Sequence, residues 1–233
     1  MLRWLSRTLS LVALVAPPAA QAAAVVIWPI DPTIKQAEQA TSLWLENKGD
    51  VPVTMQVRTF AWSQRDNEDA LDPQDAIVAS PPIARVAPGE RQLIRIIRRA
   101  PAVAPETAYR LIVDELPPPP PTGNEAPQAK LAVQMRYSLP LFAYGAVSAG
   151  KPQLAAAVRI AQSGRELVIA NTGKAHARLT DLRLVDGHQE TIVRGGLAGY
   201  VLPGAAVTIP LPPGAGTLHV AVNGVDQPLL PST

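Results

Sequence analysis

Between residues 129 and 142 the chain reads AKLAVQMRYSLPLF. Large apolar side chains recur there at every second position, Leu131, Val133 and Met135, with Ala132, Gln134 and Arg136 between them. A period of two places the three on one face of a β-strand. The stretch follows LPPPPP at 116–121. Prolines have no N–H to give a sheet ladder, so the pattern predicts a strand that begins after a long, stiff loop. A strand presenting alternate apolar side chains in this way can complete the core of another protein.

Short apolar-alternating runs continue along the chain, with little helical periodicity. In the first half Thr41–Glu46, Thr54–Ala61, Gln92–Ile97, Tyr109–Leu116 and Leu131–Phe142 read as strands. Asn47-Lys48-Gly49-Asp50 and Ala87-Pro88-Gly89-Glu90 read as turns, and Pro81-Pro82 ends or kinks an edge segment. From about Leu154 a second set follows: Val158–Ile160, Glu166–Ala170, Arg178–Val185, Val207–Leu211 and Leu218–Val222. Asn171-Thr172-Gly173, Asp186-Gly187 and Leu202-Pro203-Gly204 separate its members, and Gly195-Gly196 and Gly214-Ala215-Gly216 read as further turns. Leu45–Gly49 and Ile169–Gly173 look alike, each a strand running into a turn. The small residues of Gly145–Lys151 form the best linker. The expected architecture is all-β, with two sandwich domains over 23–145 and 151–233.

The first residues read as a secretory signal: Arg3 and Arg7, an apolar Leu9–Ala16, then Ala20-Gln21-Ala22 as an A-x-A cleavage site, giving a signal over 1–22. Its apolar core is too short to span a bilayer, and no later stretch reaches the roughly 20 residues a membrane helix needs. Export changes the charge balance. The 21 basic residues lose two, leaving 19 against 19 acidic, so the mature chain has no excess positive field and nucleic acid is not an expected partner. The chain has no cysteine, which excludes a disulfide framework and thiolate chemistry.

The search for catalytic chemistry is negative. His176, His188 and His219 stand at no zinc spacing and read as turn or surface histidines, and no nucleophile elbow, P-loop or dinucleotide fingerprint is present. No enzyme activity, metal or cofactor is expected. The charged residues inside strands say more. Arg95 lies within Leu93–Ile97, and Glu106 precedes Arg110 by four residues in PETAYRLIVDEL. Each needs water or a countercharge, because burying a lone ion costs several kcal/mol.

Several motifs in this order resemble the periplasmic chaperones of the chaperone–usher pilus pathway. They are Leu43–Asn47, Ser80–Gly89, Leu93-Ile94-Arg95, Glu106…Tyr109-Arg110…Glu115-Leu116-Pro117 and Arg136–Phe142. Asn171-Thr172-Gly173 and Leu202-Pro203-Gly204 extend the likeness into the second half. The resemblance implies two immunoglobulin-like domains set at an angle around a cleft. It also implies a role in which a strand is lent to an incomplete pilin subunit until an outer-membrane usher replaces it. The matching strand is Lys130–Phe142, with Leu131, Val133 and Met135 as the donated side chains.

One departure shapes the expected site. Many chaperones of this family hold the subunit's C-terminal carboxylate with an early Arg and a late donor-strand Lys. Here those positions fall near Asp31 and on Pro140, and the W-P-I-D-P and Y-S-L-P-L-F segments look like the archaic branch. If the flanking strands pair as in the family, Glu106 faces Tyr144 and Arg110 faces Pro140, which puts Arg110 beside the vacated anchor. Arg110 is therefore the expected carboxylate anchor, Arg136 a weaker candidate further from the cleft, and Glu106 and Arg95 members of an interdomain ion-pair network. An uncovered strand edge also opens the free protein to self-association. The rival reading is a secreted two-domain β-sandwich adhesin or carbohydrate-binding module, which the low aromatic content of 4% disfavours.

Overall fold

The computed structural model describes residues 25–100, 104–118 and 134–230. The chain is built from strands. In its first part these are β1 (Val25–Trp28), β2 (Thr33–Ile34), β3 (Ala40–Asn47), β4 (Val53–Arg65), β5 (Glu68–Pro73), β6 (Ile77–Ser80), β7 (Ile83–Val86), β8 (Arg91–Arg98), β9 (Glu106–Leu116) and β10 (Arg136–Tyr144). In its second part they are β11 (Leu154–Ala161), β12 (Gly164–Asn171), β13 (Ala177–Asp186), β14 (Gln189–Val201), β15 (Ala206–Leu211), β16 (Thr217–Val222) and β17 (Val225–Leu229). No helix among the described residues is long and apolar enough to cross a membrane.

Each part closes two sheets on its own core. A four-stranded sheet β1-β3-β8-β6 faces a six-stranded one ordered β2-β10-β9-β4-β5, with β7 also on β4. Alternation decides which residues enter. Leu43 and Leu45 of β3 and Ile94 and Ile96 of β8 meet Met55 and Val57 of β4, Leu111 and Val113 of β9, and Leu139 and Leu141 of β10. The second sandwich sets β11-β12-β15 against β14-β13-β16-β17 around Leu167, Ile169, Leu179, Leu182 and Val220. Two separate apolar cores make the chain a two-domain all-β protein.

The likeness between Leu45–Gly49 and Ile169–Gly173 has a cause beyond strand-then-turn. Asn47 is fully buried, donates from Nδ2 to the Val51 and Val86 carbonyls at 2.7 and 3.1 Å, and accepts from Gly49 N at 3.0 Å. Asn171 repeats this, donating to Ala175 and Val201 at 2.7 and 3.0 Å and accepting from Gly173 N at 3.0 Å. In both domains the asparagine backbone is pinned to a Pro-Gly turn: Gly89 N donates to Asn47 O and Gly204 N to Asn171 O, each at 2.8 Å. Those turns need φ > 0 at the glycine, and both take it, at 72° and 76°. One asparagine plug therefore satisfies the buried turn backbone of each sandwich.

Other expectations change. The strand expected from Leu131 is described from Arg136 and runs on to Tyr144; Met135 lies just before it, although its carbonyl still accepts from Glu115 N at 2.9 Å. Gly195-Gly196, read as a turn, lies inside β14. The β13–β14 ladder shifts register near Asp181, whose Oδ1 accepts from Gly196 N at 2.8 Å, so the glycines mark a bulged strand rather than its end.

Candidate functional site

In the six-stranded sheet the odd-numbered residues of β9 and β10 enter the core, so the even-numbered ones emerge on the outer face. Among these are Glu106, Ala108, Arg110 and Asp114 of β9 and Arg136, Pro140, Phe142 and Tyr144 of β10. The two strands are antiparallel with Glu106 opposite Tyr144 and Arg110 opposite Pro140, the register expected from the sequence. β4 adds Trp62 and Gln64 to the same face.

The second domain covers the Tyr144 end of that face. Trp62, Phe142, Tyr200 and Leu202 form an apolar cluster between the domains. Tyr200 meets the Trp62 ring edge-on at 5.5 Å, and the Phe142 ring stacks on His176 with centroids 3.5 Å apart and planes 2° apart. Glu106 fixes this junction. Its carboxylate, 1% exposed, accepts from the His176 backbone N at 2.8 Å and lies 2.9 Å from His176 Nδ1. His176, expected as a turn or surface histidine, is thus in contact with Glu106 across the two domains.

Arg95 does not join it. Ile94 and Ile96 take the buried face of β8, so Arg95 must point outward from the other sheet; it is exposed and paired in register with Ser42 and Ser80, away from Glu106. The tying arginine is Arg98, three residues on. It donates from Nη1 to Tyr144 O at 2.8 Å and from Nη2 to the carbonyls of Lys35, Gln36 and Glu38, clamping the chain between β2 and β3 to the end of β10.

Arg110 is largely buried. Its guanidinium carbon lies 3.6 Å from the Trp62 ring centroid and 5.6 Å from that of Tyr200, and its Nη2 bonds Asp69 Oδ2 at 3.1 Å. Burial draws its pKa below the ordinary value, against the opposing pull of Asp69. Asp69 reaches it because Asp66 and Asn67 both take left-handed conformations, φ 52° and 67°, in the tight β4–β5 turn. That hairpin also binds the second domain. Gln64 Nε2 donates to Tyr200 O at 3.0 Å, Leu202 N to Gln64 Oε1 at 2.9 Å, and Thr208 N to Asn67 Oδ1 at 2.6 Å.

A cavity of about 490 Å³ opens beside these contacts, and its charged lining residues are Arg110, Asp69 and Arg194 of β14. Across Tyr200 a cavity of about 300 Å³ contains Asp31, His176 and Arg178. Asp31 brings negative charge there. Arg136 is exposed and pairs with Asp114, its register partner, which Arg58 also binds at 2.7 Å. Burial pushes the Asp114 carboxyl up, but hydrogen bonds from Arg136 and Arg58 outweigh it and hold the group below the ordinary carboxylate range.

The far edge of β10 is largely open. β10 bonds β9 along all nine residues, yet β2 pairs with it only at Phe142 and Ala143. Among the described residues Arg136–Leu141 therefore has a ladder on one side alone. Met135, which opens this segment, is 40% exposed. Leu131 and Val133 lie outside the described residues. Among the described residues no group of three or more His, Asp or Glu is placed to hold a metal ion.

A family model described as the pili and flagellar-assembly chaperone, PapD N-terminal domain, matches residues 25–144. Among solved structures, the chain is similar to one in the CsuC–CsuE chaperone–tip adhesion subunit pre-assembly complex from the archaic chaperone–usher Csu pili of Acinetobacter baumannii. The identity is 32%, with 88% of this chain and 96% of that one covered and a TM-score of 0.68. The fold also matches the E. coli chaperone DraB, at 18% identity, 87% and 94% coverage and TM-score 0.60. A chain in the complex of Salmonella enterica SafA pilin with the SafB chaperone matches at 17% identity, 90% and 95% coverage and TM-score 0.63. No curated protein sequence matched the chain.

Proposed function

The chain belongs to the pili and flagellar-assembly chaperone family, and from that premise we propose that it is a periplasmic chaperone that completes pilin subunits by lending them β10 and passes them to an outer-membrane usher. The observation that carries this reading is the one-sided ladder of β10. Arg136–Leu141 offers free backbone donors and acceptors to a further strand, as strand addition requires. The sequence continues the same face upstream through Met135, Val133 and Leu131, three apolar side chains that would enter the subunit's groove at roughly 1.5–3 kcal/mol each when fully buried. The same edge gives the free chaperone a surface for self-association.

The subunit's terminal carboxylate would be held by Arg110. Its guanidinium is desolvated, oriented by Trp62, and paired among the described residues with Asp69, which is 43% exposed. An incoming carboxylate would replace Asp69 in a charge-assisted pair. Arg136 is a poorer anchor because it lies at the start of β10, opposite Asp114 and far from the Tyr144 end that the second domain covers. Glu106, through His176, would serve to hold the two domains at the geometry that forms the cavity. Co-expression with the small secreted proteins encoded beside it tests the reading. A one-to-one complex should form with the unaltered chain and be lost with Arg110→Ala, which stays folded. Normal capture by that variant would remove Arg110 as the anchor.

A further inference from the structure

The cavity beside Arg110 has walls from both domains, and its charge is not balanced. Two arginines and one aspartate are its charged lining residues. Arg194 comes from β14 of the second domain, is exposed, and among the described residues makes one hydrogen bond, from Nη1 to Ala198 O at 3.1 Å. The rest of its fork is free for a ligand. The bulge of β14 at Gly195–Gly196 brings Arg194 back toward Ala198 and Gly199 at the cavity mouth. Leu197, 55% exposed, and the exposed Pro210 give the cavity an apolar wall next to these cations. An inorganic anion has no use for such a wall, whereas a peptide terminus carries a carboxylate and a side chain together.

We infer that Arg194 is the second cation of a carboxylate clamp that spans the two domains, with Arg110 gripping the subunit's terminal carboxylate from the first domain and Arg194 from the second. The last side chain of the subunit lies against Leu197 and Pro210. The inference rests on the subunit-capture reading above and adds a contact made by the second domain. It places the clamp on the β4–β5 side of Tyr200, so that Arg178, in the cavity across that ring, takes no part.

The probe is the subunit retained by the unaltered chaperone after periplasmic co-expression, used in its natural form and with a two-glycine C-terminal extension that displaces its carboxylate. Arg194→Gln should weaken capture of the natural subunit about tenfold, the worth of one charge-assisted contact, with little change in the chaperone's melting temperature. Arg194→Lys should recover most of the loss. The extended subunit should be captured equally by the parent and by Arg194→Gln, and Arg178→Gln should capture the natural subunit like the parent. If the parent retains no subunit, the capture reading fails and the clamp with it. If Arg110→Gln loses the subunit but Arg194→Gln holds it within twofold, the chaperone reading stands and the two-domain clamp is wrong. The clamp is equally overturned if Arg194→Gln weakens both subunit forms alike, or if Arg178→Gln is the variant that fails.

Discussion

Replacing Glu106 by alanine should loosen the two domains from each other without damaging either core. The carboxylate is 1% exposed and receives two hydrogen bonds from His176, one from its backbone N–H. Alanine leaves that N–H without an acceptor beside the stacked Phe142 and His176 rings. Hydrogen bonds to a charged group contribute about 1.5–3 kcal/mol each, so the loss of two is about 3–6 kcal/mol, concentrated at the interface. Glutamine is the informative comparison. Its Oε1 can still accept from His176 N and its amide can donate to an unprotonated Nδ1, so only the charge assistance goes, at about 1–2 kcal/mol. For a chain of this size 1 kcal/mol moves the melting temperature by roughly 2–4 °C. Differential scanning calorimetry should therefore show Glu106→Ala lowered by roughly 6–24 °C, with the domains melting in separate steps. Glu106→Gln should fall by roughly 2–8 °C. Subunit capture should fall with Glu106→Ala, since the cavity beside Arg110 has walls from both domains. An alanine variant melting within about 2 °C of the parent in a single transition would show that the Glu106–His176 contact does not couple the domains.

Asp69→Asn should strengthen subunit capture, because it removes the internal carboxylate from Arg110; co-purification yield at increasing salt reads this, and weaker capture would mean that Asp69 orients the anchor instead of competing for it. Asn47→Ala and Asn171→Ala should each cost about 2–4 kcal/mol by urea denaturation, as each strands two buried carbonyls; a loss under about 0.5 kcal/mol would contradict the plug. Asp114 is held below the ordinary carboxylate range, as is Asp226 by its Arg183 hydrogen bonds. With the folded values depressed, their stabilisation is present above the unfolded value near 3.9 and lost as pH falls through the folded values. The urea midpoint should thus drop below about pH 4, less steeply in Asp114→Asn; an identical acid profile in that variant would exclude the Arg58–Asp114–Arg136 cluster as a contributor.

The β9–β10 register was legible because the family resemblance supplied the strand pairing, and an antiparallel ladder fixes every pair once one is known. Placing Glu106 opposite Tyr144 also places Arg110 opposite Pro140. The outward face of Arg110 followed from the same alternation. Its partners did not. Trp62 and Asp69 reach it through the β4–β5 hairpin, and Tyr200 through a second domain whose docking no local pattern encodes. His176 was misread for the same reason, since its partner Glu106 is 70 residues away. Arg95 and Arg98 stand on one strand in similar company, and only the three-dimensional course of the 35–38 loop shows that Arg98 does the clamping. The β14 bulge escaped because paired glycines read alike in a turn and in an irregular strand.

Strand lending is tested most directly by co-purification of the co-expressed subunit with a chaperone in which Leu131, Val133 and Met135 are all made serine. This variant should keep the parent's melting temperature and lose its one-to-one complex. A variant that still retains the subunit, or that unfolds because those side chains belong to its own core, would contradict strand lending.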